Sequence, residues 1–257
     1  MNMLIKLFLS LCFVSFSFYA HADEHSNQNK GSVLVVGATG GTGQLTVEKL
    51  VAEGYQVRAM VRNLEKGKKL LNENVELMYA DVTKPETLPK TMVGMDYLVS
   101  TLGTPGGANA EAIDYIGAVA VMDAAKAAGI KKFVFTTSGG TTWWIHPLNW
   151  FANNVLKWKH KAELHLRASG LTHVIVRPAG GLTDNPGNRE KIIFTQKDGI
   201  PSRISRDDVA TVLVQALAMQ EADNKTFEIL NNDDGEVVSE VDWPATFSGM
   251  LVQSDNF

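Results

Sequence analysis

Residues 36–44 read VGATGGTGQ and decide the fold of this chain. The apolar run SVLVV precedes them and LTVEKLVAEGY follows, so four glycines within seven residues separate a predicted strand from a predicted helix. In this setting Gly37 would form the tight turn, Gly40 would let the main chain approach a pyrophosphate, and Gly43 would bring the helix against the strand. A tight turn without a ligand would need only one or two glycines. The stretch therefore predicts a dinucleotide-binding βα unit, with the anion at the helix N-terminus.

Short β-branched runs alternate with helix-like segments along the rest of the chain. This alternation predicts parallel strands joined by right-handed crossovers, and runs that are apolar throughout are typical of strands covered on both faces. We therefore predict an α/β fold: a Rossmann-type doubly wound parallel sheet in a single domain with a small C-terminal substrate region. The predicted strands are SVLVV, YQVRAMV, VELMYA, DYLVST, KFVFTT and THVIVRP. The predicted helices are 41–54 with Gly54 as C-cap, 110–128, 149–168, and one that begins with a capping box of Ser205 and Asp208.

The residue at the end of the second predicted strand discriminates between the two nicotinamide cofactors. NAD-binding enzymes place a carboxylate there, which accepts a hydrogen bond from the ribose 2′-OH. This chain has Arg62, whose guanidinium would instead bind a 2′-phosphate with charge-assisted hydrogen bonds. We therefore predict NADP(H) as the cofactor. Arg58, inside the strand, is a less favoured partner for the phosphate, and a merely solvated Arg62 is the remaining alternative.

The first 22 residues have the features of a signal peptide. One lysine, Lys6, precedes an apolar core from Leu7 to Tyr19, and Ala20-His21-Ala22 matches a signal-peptidase site. Cleavage there would export the chain, to the periplasm or out of the cell. The alternative is an uncleaved N-terminal membrane anchor, although the core is short against the roughly 20 residues of a spanning helix.

Four segments follow from these patterns. Residues 1–22 form the signal peptide or anchor, 23–31 a polar linker, 32–230 the NAD(P)-binding Rossmann domain with its substrate region, and 231–257 an acidic C-terminal tail. The tail has six acidic residues and no lysine or arginine, yet Trp243 and Phe247 indicate that part of it packs back on the domain.

The composition excludes several classes of function. A net charge of −4 provides no basic field, so we expect no nucleic-acid partner. The single cysteine, Cys12, lies in the predicted signal peptide and the six histidines are scattered, so no metal site is predicted. Ser138-Gly139 lacks the G-x-S-x-G sequence of a hydrolase nucleophile. A small-molecule substrate is the expected partner.

Seven motifs together make the chain resemble an atypical short-chain dehydrogenase/reductase of the NAD(P)H-binding, NmrA-like group over about residues 32–230. They are GATGGTG, VRN, Ala80-Asp81-Val82, Ser100-Thr101-Leu102-Gly103, FVFTTSGG, KAELHLRASGLTHVIVRPAGGLTD and ISRDDVA. The resemblance implies that Asp81 and Val82 border the adenine and that the segment after Arg177-Pro178 closes over the nicotinamide. Asp81 as a turn residue and Arg177 as a structural ion-pair partner are the alternatives. The predicted cofactor-binding residues are Gly37, Thr39, Gly40, Gly41, Thr42, Gly43, Arg62, Asp81, Val82, Thr101, Leu102, Gly103, Lys161 and Pro178.

The same resemblance implies a catalytic serine followed by Tyr-x-x-x-Lys, in which the tyrosine protonates the carbonyl oxygen and the lysine lowers its pKa. Ser138 matches the serine and Lys161 the lysine. Lys157 occupies the tyrosine position; its ammonium is a feasible proton donor, and a second lysine on the same helical face could depress its pKa. His160 is an alternative donor. Hydride transfer without a protein acid, as in family members that reduce flavins, quinones or tetrapyrroles, is a further alternative.

The segment TTWWIHPLNWF concentrates Trp143, Trp144, Trp150 and Phe151 after the predicted serine. Such density is typical of a core. It could also wall a pocket for a flat, aromatic or apolar substrate, or contact a membrane surface. Membrane contact is thus expected only through this segment or the N-terminus.

We predict an NADP(H)-binding oxidoreductase that transfers hydride from NADPH to a small planar or carbonyl substrate, such as a quinone or flavin. The aromatic segment and the pair Ser138 and Lys161 favour this activity. The missing tyrosine favours the alternative, a redox-inactive NADP(H)-binding sensor or assembly module.

Overall fold

A computed structural model describes residues 30–104, 107–143, 145–232 and 241–252 of the chain. The predicted signal peptide or anchor, residues 23–29 of the linker, Trp144, and residues 233–240 and 253–257 of the tail lie outside the described residues. Export or anchoring through the N-terminus therefore stays a prediction. None of the helices in the described ranges is long and apolar enough to cross a membrane.

Within these ranges the chain forms ten strands and eight helices. The strands are β1 (Ser32–Val36), β2 (Gln56–Val61), β3 (Glu76–Tyr79), β4 (Tyr97–Ser100), β5 (Lys132–Thr136), β6 (His173–Pro178), β7 (Gly181–Thr183), β8 (Ile192–Thr195), β9 (Arg203–Ser205) and β10 (Lys225–Asn231). The helices are α1 (Gly41–Ala52), α2 (Leu64–Leu70), α3 (Pro89–Met92), α4 (a π-helix over Glu111–Gly117 continued by an α-helix over Ala118–Ala127), α5 (Pro147–Phe151), α6 (Val155–Ala168), α7 (Arg206–Ala218) and α8 (Trp243–Ser248). All six predicted strands are present as β1–β6, with ends within one residue of the prediction.

Eight strands form one sheet in the order β3-β2-β1-β4-β5-β6-β10-β8. Every neighbouring pair is parallel except β10 with the edge strand β8. The chain builds the sheet outward from β1 to β3 and then returns to place β4 on the other side of β1, so the strand order reverses between β1 and β4. This arrangement confirms the predicted Rossmann-type doubly wound fold, and ligands bind such sheets where the order reverses.

The strand β1 is buried on both faces, and successive residues alternate between two cores. Val33 and Val35 belong to the core that α1 and α7 cover. Leu34 and Val36 belong to the opposite core, to which α4 and α6 contribute. The central strands therefore lie between two layers of helices, and their carboxyl ends remain at one edge of the sheet.

The predicted helix 149–168 is wrong as a single element. The chain forms α5 and α6 separately, because Asn153 and Asn154 adopt left-handed conformations with φ of 50° and 58°. Asparagine tolerates this conformation better than most residues. The Asn149 Oδ1 atom accepts hydrogen bonds from the N–H groups of Leu156 (3.1 Å) and Lys157 (3.4 Å), which stabilises the start of α6.

Part of the predicted acidic tail packs on the sheet. Helix α8 places Phe247, which is fully buried, against Phe227 with 5.7 Å between the ring centroids. Trp243 contacts Phe194 at 5.9 Å. Asn231, the first residue of the predicted tail, is the last residue of β10.

The turn between β1 and α1 depends on glycine in a way that mutation can measure. A Cβ atom on Gly43 would lie 2.2 Å from the Gly37 carbonyl oxygen and 2.9 Å from the Ala38 Cα atom, so α1 would have to move. We expect Gly43→Ala to lower the midpoint of thermal unfolding by roughly 5–10 °C, the shift for a loss of about 2–3 kcal/mol in a domain of this size.

Gly181→Ala is the matched control. Neither Gly43 nor Gly181 has a positive φ, and a Cβ atom on Gly181 would meet nothing within 4 Å. A Gly43→Ala midpoint equal to that of Gly181→Ala would contradict the close packing of α1 on this turn.

Candidate functional site

Two adjacent cavities lie at the carboxyl ends of β1 and β4, where the strand order reverses. The first, here the Arg62 cavity, has a volume of about 320 Å³, and the second, here the Ser138 cavity, has about 390 Å³. They share Gly40 and the segment 101–104, so the two cavities form one groove across the sheet edge. An elongated ligand with a narrow middle would fit this arrangement.

Most of the predicted cofactor-binding residues line this groove. Gly37, Thr39, Arg62 and Val82 line the Arg62 cavity, Gly41, Thr42, Gly43 and Pro178 line the Ser138 cavity, and Gly40, Thr101, Leu102 and Gly103 line both. Two predicted residues, Asp81 and Lys161, line neither cavity.

The middle of the groove is formed by main chain. A Cβ atom on Gly37 would lie 2.8 Å from the Thr101 carbonyl oxygen, and one on Gly41 would lie 2.9 Å from the Arg206 Cδ atom. Helix α1 has no side-chain cap at Gly40 and no acidic residue in its first turn, so the protein's own side chains do not neutralise its N-terminus. Uncapped N–H groups at the start of a helix bind phosphate, and the residues present therefore fit the pyrophosphate of a dinucleotide.

Two cationic side chains, Arg62 and Lys66, line the Arg62 cavity. Arg58, the alternative phosphate partner, is engaged elsewhere: its Nε atom donates to Glu76 (2.8 Å) and its Nη1 atom to the Val93 carbonyl (2.7 Å). Lys66 is not among the residues predicted from the sequence. The signal was present, because Lys66 lies in the first turn of the helix that follows Arg62.

Asp81 forms a turn and lines neither cavity, so its expected contact with the adenine stays a prediction. Its Oδ1 atom accepts hydrogen bonds from the Thr83 N–H (3.0 Å) and Oγ1 (2.8 Å). These hydrogen bonds, with the nearby charge of Arg62, hold the pKa of the Asp81 carboxyl below its ordinary value. The carboxylate is thus already satisfied by its own loop.

The lysine that lines the groove is Lys159, whereas Lys161 and Lys157 line neither cavity. The catalytic roles expected of Lys161 and Lys157 stay predictions. Lys159 lines the Ser138 cavity, and its Nζ atom lies 2.7 Å from the Asp114 Oδ1 atom in the π-helical part of α4. The exposed Lys161 places its Nζ atom 4.6 Å from the centroid of the Trp158 ring, and the Nζ atom of Lys157 lies 5.5 Å from the same ring. Residues two positions apart on a helix point in nearly opposite directions, so when Lys159 faces the cavity, Lys157 and Lys161 together face away from it.

This register leaves no acid at the position of the expected tyrosine. The residue four before Lys159 is Val155, which lines the Ser138 cavity. His160 lines neither cavity, and burial lowers the pKa of its imidazole. Among the described residues of the Ser138 cavity, the charged side chains are Lys159 and Arg206.

Ser138 and Arg206 complete the polar lining. Ser138 follows β5 and its hydroxyl donates to the Gly139 carbonyl at 3.1 Å. The Arg206 Nη1 atom donates to the Asp184 Oδ1 atom at 2.6 Å, while the stem of the side chain passes over Gly41. Arg206 was also missed, although it lies inside the ISRDDVA motif directly after the N-cap Ser205.

A buried network of charges supports the loop that carries Ser138. Glu163 pairs with Arg177 and accepts from the Thr137 Oγ1 atom (2.6 Å). Asp198 accepts from the N–H groups of Gly140 (2.6 Å) and Thr142 (2.7 Å). Arg177 therefore acts as a structural ion-pair partner, which was the alternative left open for it.

Glu228 belongs to the same network and is 1% exposed. Its carboxyl oxygens accept from the N–H groups of Gly199 (2.9 Å) and Ile200 (3.0 Å). Burial raises the pKa of Glu228 to about 7, and a hydrogen bond shared with Asp198 adds to this effect. Glu228 therefore changes its protonation state near neutral pH, at a point where its carboxyl holds the 199–200 loop.

The aromatic segment is not part of the core. Trp143, Trp150 and Phe151 are 42%, 75% and 82% exposed, so the expectation of a core is wrong for the described part of the segment. Leu148 of the same segment lines the Ser138 cavity, as do Ala152 and Val155 beyond it. One side of the cavity is therefore apolar.

Comparison with known proteins places the chain in a family. Residues 37–220 match the sequence profile of an NAD(P)H-binding family. The chain is 32% identical to sanguinarine reductase of Eschscholzia californica, across 86% of this chain and 97% of that protein. It is 30% identical to the photosystem II assembly factor Ycf39 of Trieres chinensis, across 82% of this chain and 66% of that protein. Among solved structures, an anaerobilin reductase from Escherichia coli O157:H7 superposes with a TM-score of 0.68 at 25% identity, across 79% of this chain and 98% of that one.

The carboxyl of Glu228 makes the stability of the fold depend on pH. Its folded pKa, about 7, lies above the ordinary value of 4.5, so the protonated form stabilises the fold. This contribution is complete below pH 4.5 and is lost as the pH rises through 7. We expect the thermal unfolding midpoint of the protein to fall between pH 5 and pH 8 more steeply than that of Glu228→Gln, which keeps a neutral side chain throughout.

Glu73→Gln, at an exposed position, is the control and should retain the wild-type slope. Parallel midpoint curves for Glu228→Gln and the wild type would show that Glu228 titrates normally in the fold.

Proposed function

The chain belongs to the NAD(P)H-binding, NmrA-like group of atypical short-chain dehydrogenases/reductases, and we propose that it is an NADP(H)-dependent oxidoreductase acting on a small planar, apolar or carbonyl substrate. The observation that carries the proposal is the groove itself. Arg62 and Lys66 lie at one end of the groove, and the buried Lys159 lies beside an apolar wall at the other end. Between them, the floor of the groove is main chain at the N-terminus of α1. The similarity to two reductases supports a reduction as the reaction.

Each part of the groove fits one part of NADPH. Arg62 and Lys66 would bind the 2′-phosphate, because a guanidinium and an ammonium attract a dianion that a carboxylate would repel. The N–H groups at the start of α1 would bind the pyrophosphate, with Arg206 above them. Lys159 would hold the ribose hydroxyls next to the nicotinamide. When bound there, the cofactor supplies a hydride to an acceptor in the Ser138 cavity.

The side chains around the acceptor narrow the substrate class. Val155 cannot give a proton, and Lys159 is held by the buried Asp114, so the protein provides little general-acid catalysis in this cavity. Acceptors such as quinones and flavins delocalise the electron pair that arrives with the hydride, and they can take their proton from water. Ser138 would donate a hydrogen bond to the acceptor, while Leu148, Val155 and Leu156 contact its flat apolar part.

The alternative function is a redox-inactive NADP(H)-binding sensor or assembly module. Two observations favour it. Val155, four residues before Lys159 in the Ser138 cavity, cannot donate a proton, and the chain is similar to a photosystem II assembly factor. The two candidates differ in turnover. Tight NADPH binding without oxidation by any acceptor would favour the module.

The choice between NADPH and NADH tests the role of Arg62. We expect Arg62→Asp to weaken NADPH binding by roughly 10- to 100-fold and NADH binding by less than about 3-fold, since only NADPH carries the 2′-phosphate. Isothermal titration of both cofactors measures the two ratios. Lys68→Asp makes the same charge change on α2 outside the groove and should leave both affinities near wild type. Equal losses of NADPH and NADH would rule out Arg62 as the phosphate partner.

Turnover tests both the proposed oxidoreductase activity and the proposed role of Lys159. We expect NADPH to be oxidised in the presence of members of a panel of quinones, flavins and aldehydes. Lys159→Met should lower kcat/KM by roughly 10- to 100-fold, because the ribose and the acceptor lose a fixed neighbour. Lys161→Met, two residues away on the exposed side of α6, is the control and should retain activity. If Lys161→Met lowered kcat/KM and Lys159→Met did not, Lys161 would be the functional residue.

A further inference from the structure

The segment 143–151 presents a concentrated apolar surface, here the α5 face. Five large apolar side chains on nine residues are exposed: Trp143 (42%), Ile145 (70%), Leu148 (42%), Trp150 (75%) and Phe151 (82%). Exposed apolar side chains that occur singly need no explanation, but a contiguous group on a folded protein marks an interaction site.

The α5 face is held in place by its polar residues. The His146 Nδ1 atom accepts from the Leu148 N–H at 3.1 Å, and Pro147 begins the helix. Asn149 is buried and its carboxamide caps the start of α6. These hydrogen bonds fix the main chain of the element that carries the exposed apolar side chains.

Along the chain, the charged residues around the α5 face are lysines; the Asp198 carboxylate lies at the start of the face, where it already accepts hydrogen bonds from Thr142. No aspartate or glutamate occurs between Ser138 and Glu163, although the chain has 28 acidic residues and a net charge of −4. Lys157 and Lys161 lie on α6 next to the face and flank the ring of Trp158. Neither ammonium forms an ion pair with a carboxylate of the described residues, so both remain available to an external anion.

Exposed aromatic side chains beside unpaired lysines are the combination that binds the interface of an anionic bilayer. A second copy of this chain fits less well. A twofold contact through the α5 face would bring the same lysines of both copies together without any acidic residue of the segment between them.

We propose that the α5 face is a contact surface for a bilayer that contains anionic phospholipid, and that it acts independently of residues 1–22. The aromatic side chains would enter the boundary between headgroups and acyl chains, and the two lysines would bind phosphate groups. Leu148 belongs both to this face and to the Ser138 cavity, so the cavity would open beside the lipid. This last point rests on the proposed function: an apolar acceptor dissolved in the bilayer would enter from that side.

Flotation of the full chain with lipid vesicles tests the proposal. The vesicles contain phosphatidylcholine alone or equal parts of phosphatidylcholine and phosphatidylglycerol. We expect Trp150→Ser/Phe151→Ser to lower partitioning onto the mixed vesicles by about 10-fold or more, because two large aromatic side chains no longer enter the interface. Lys157→Glu/Lys161→Glu should lower partitioning onto the mixed vesicles only, and added salt should have the same effect.

Val93→Ser/Leu251→Ser is the matched control, since these side chains are 70% and 76% exposed away from the α5 face. It should partition like the wild type. Unchanged partitioning of the Trp150→Ser/Phe151→Ser variant would overturn the proposal and assign any binding to another part of the chain. The proposal would also be overturned if sedimentation showed a concentration-dependent dimer that Trp150→Ser/Phe151→Ser abolishes, while the same variant still binds vesicles. Neither readout depends on turnover, so failure of the proposed reductase activity would leave this test intact.

Discussion

The close approach of α1 to the turn after β1 is the constraint on which the rest of the structure depends. At Gly43 the helix lies so near the Gly37 carbonyl that no side chain fits, and the carbonyl of Thr101, directly after β4, lies almost as near to Gly37. Three elements thus meet through main-chain atoms at the point where the strand order reverses. The groove above them has a floor of peptide groups, and this is what allows a pyrophosphate to reach the helix N-terminus.

The elements that can be predicted from the sequence are those in which most residues are buried apolar side chains. Most residues of β1, β4, β5 and β6 are buried, so their apolar runs are visible without a partner. Strand β10 was missed because it carries charges whose partners are distant: Lys225 donates to the Phe247 carbonyl, and Glu228 accepts from the loop at 199–200. The break between α5 and α6 was missed for a similar reason, since the hydrogen bonds of Asn149 that support it form only once the chain has turned.

The candidate site divides in the same way. The glycines and Arg62 follow directly from the strand–turn–helix pattern, because local chain geometry decides where they point. The choice among Lys157, Lys159 and Lys161 does not follow from the local sequence. It depends on Asp114, which lies more than 40 residues earlier in a π-helix whose wider turn is itself invisible to a search for helical periodicity. A shift of two residues along α6 would therefore change both the lysine and the residue expected to act as the acid.

The two cations of the Ser138 cavity differ in how freely they can change partner. Arg206 pairs with Asp184, whose side chain is 89% exposed, so water can replace the guanidinium there at little cost. Lys159 pairs with Asp114, whose side chain is fully buried, and removing the ammonium would leave an uncompensated carboxylate. An incoming phosphate can therefore draw Arg206 away from Asp184, whereas Lys159 keeps its position and offers only its remaining N–H bonds to a ligand. In the proposed complex, the groove would thus combine an adjustable cation above the N-terminus of α1 with a fixed one beside the acceptor. Such a pairing would let the cofactor enter and leave without disturbing the geometry at the reacting end.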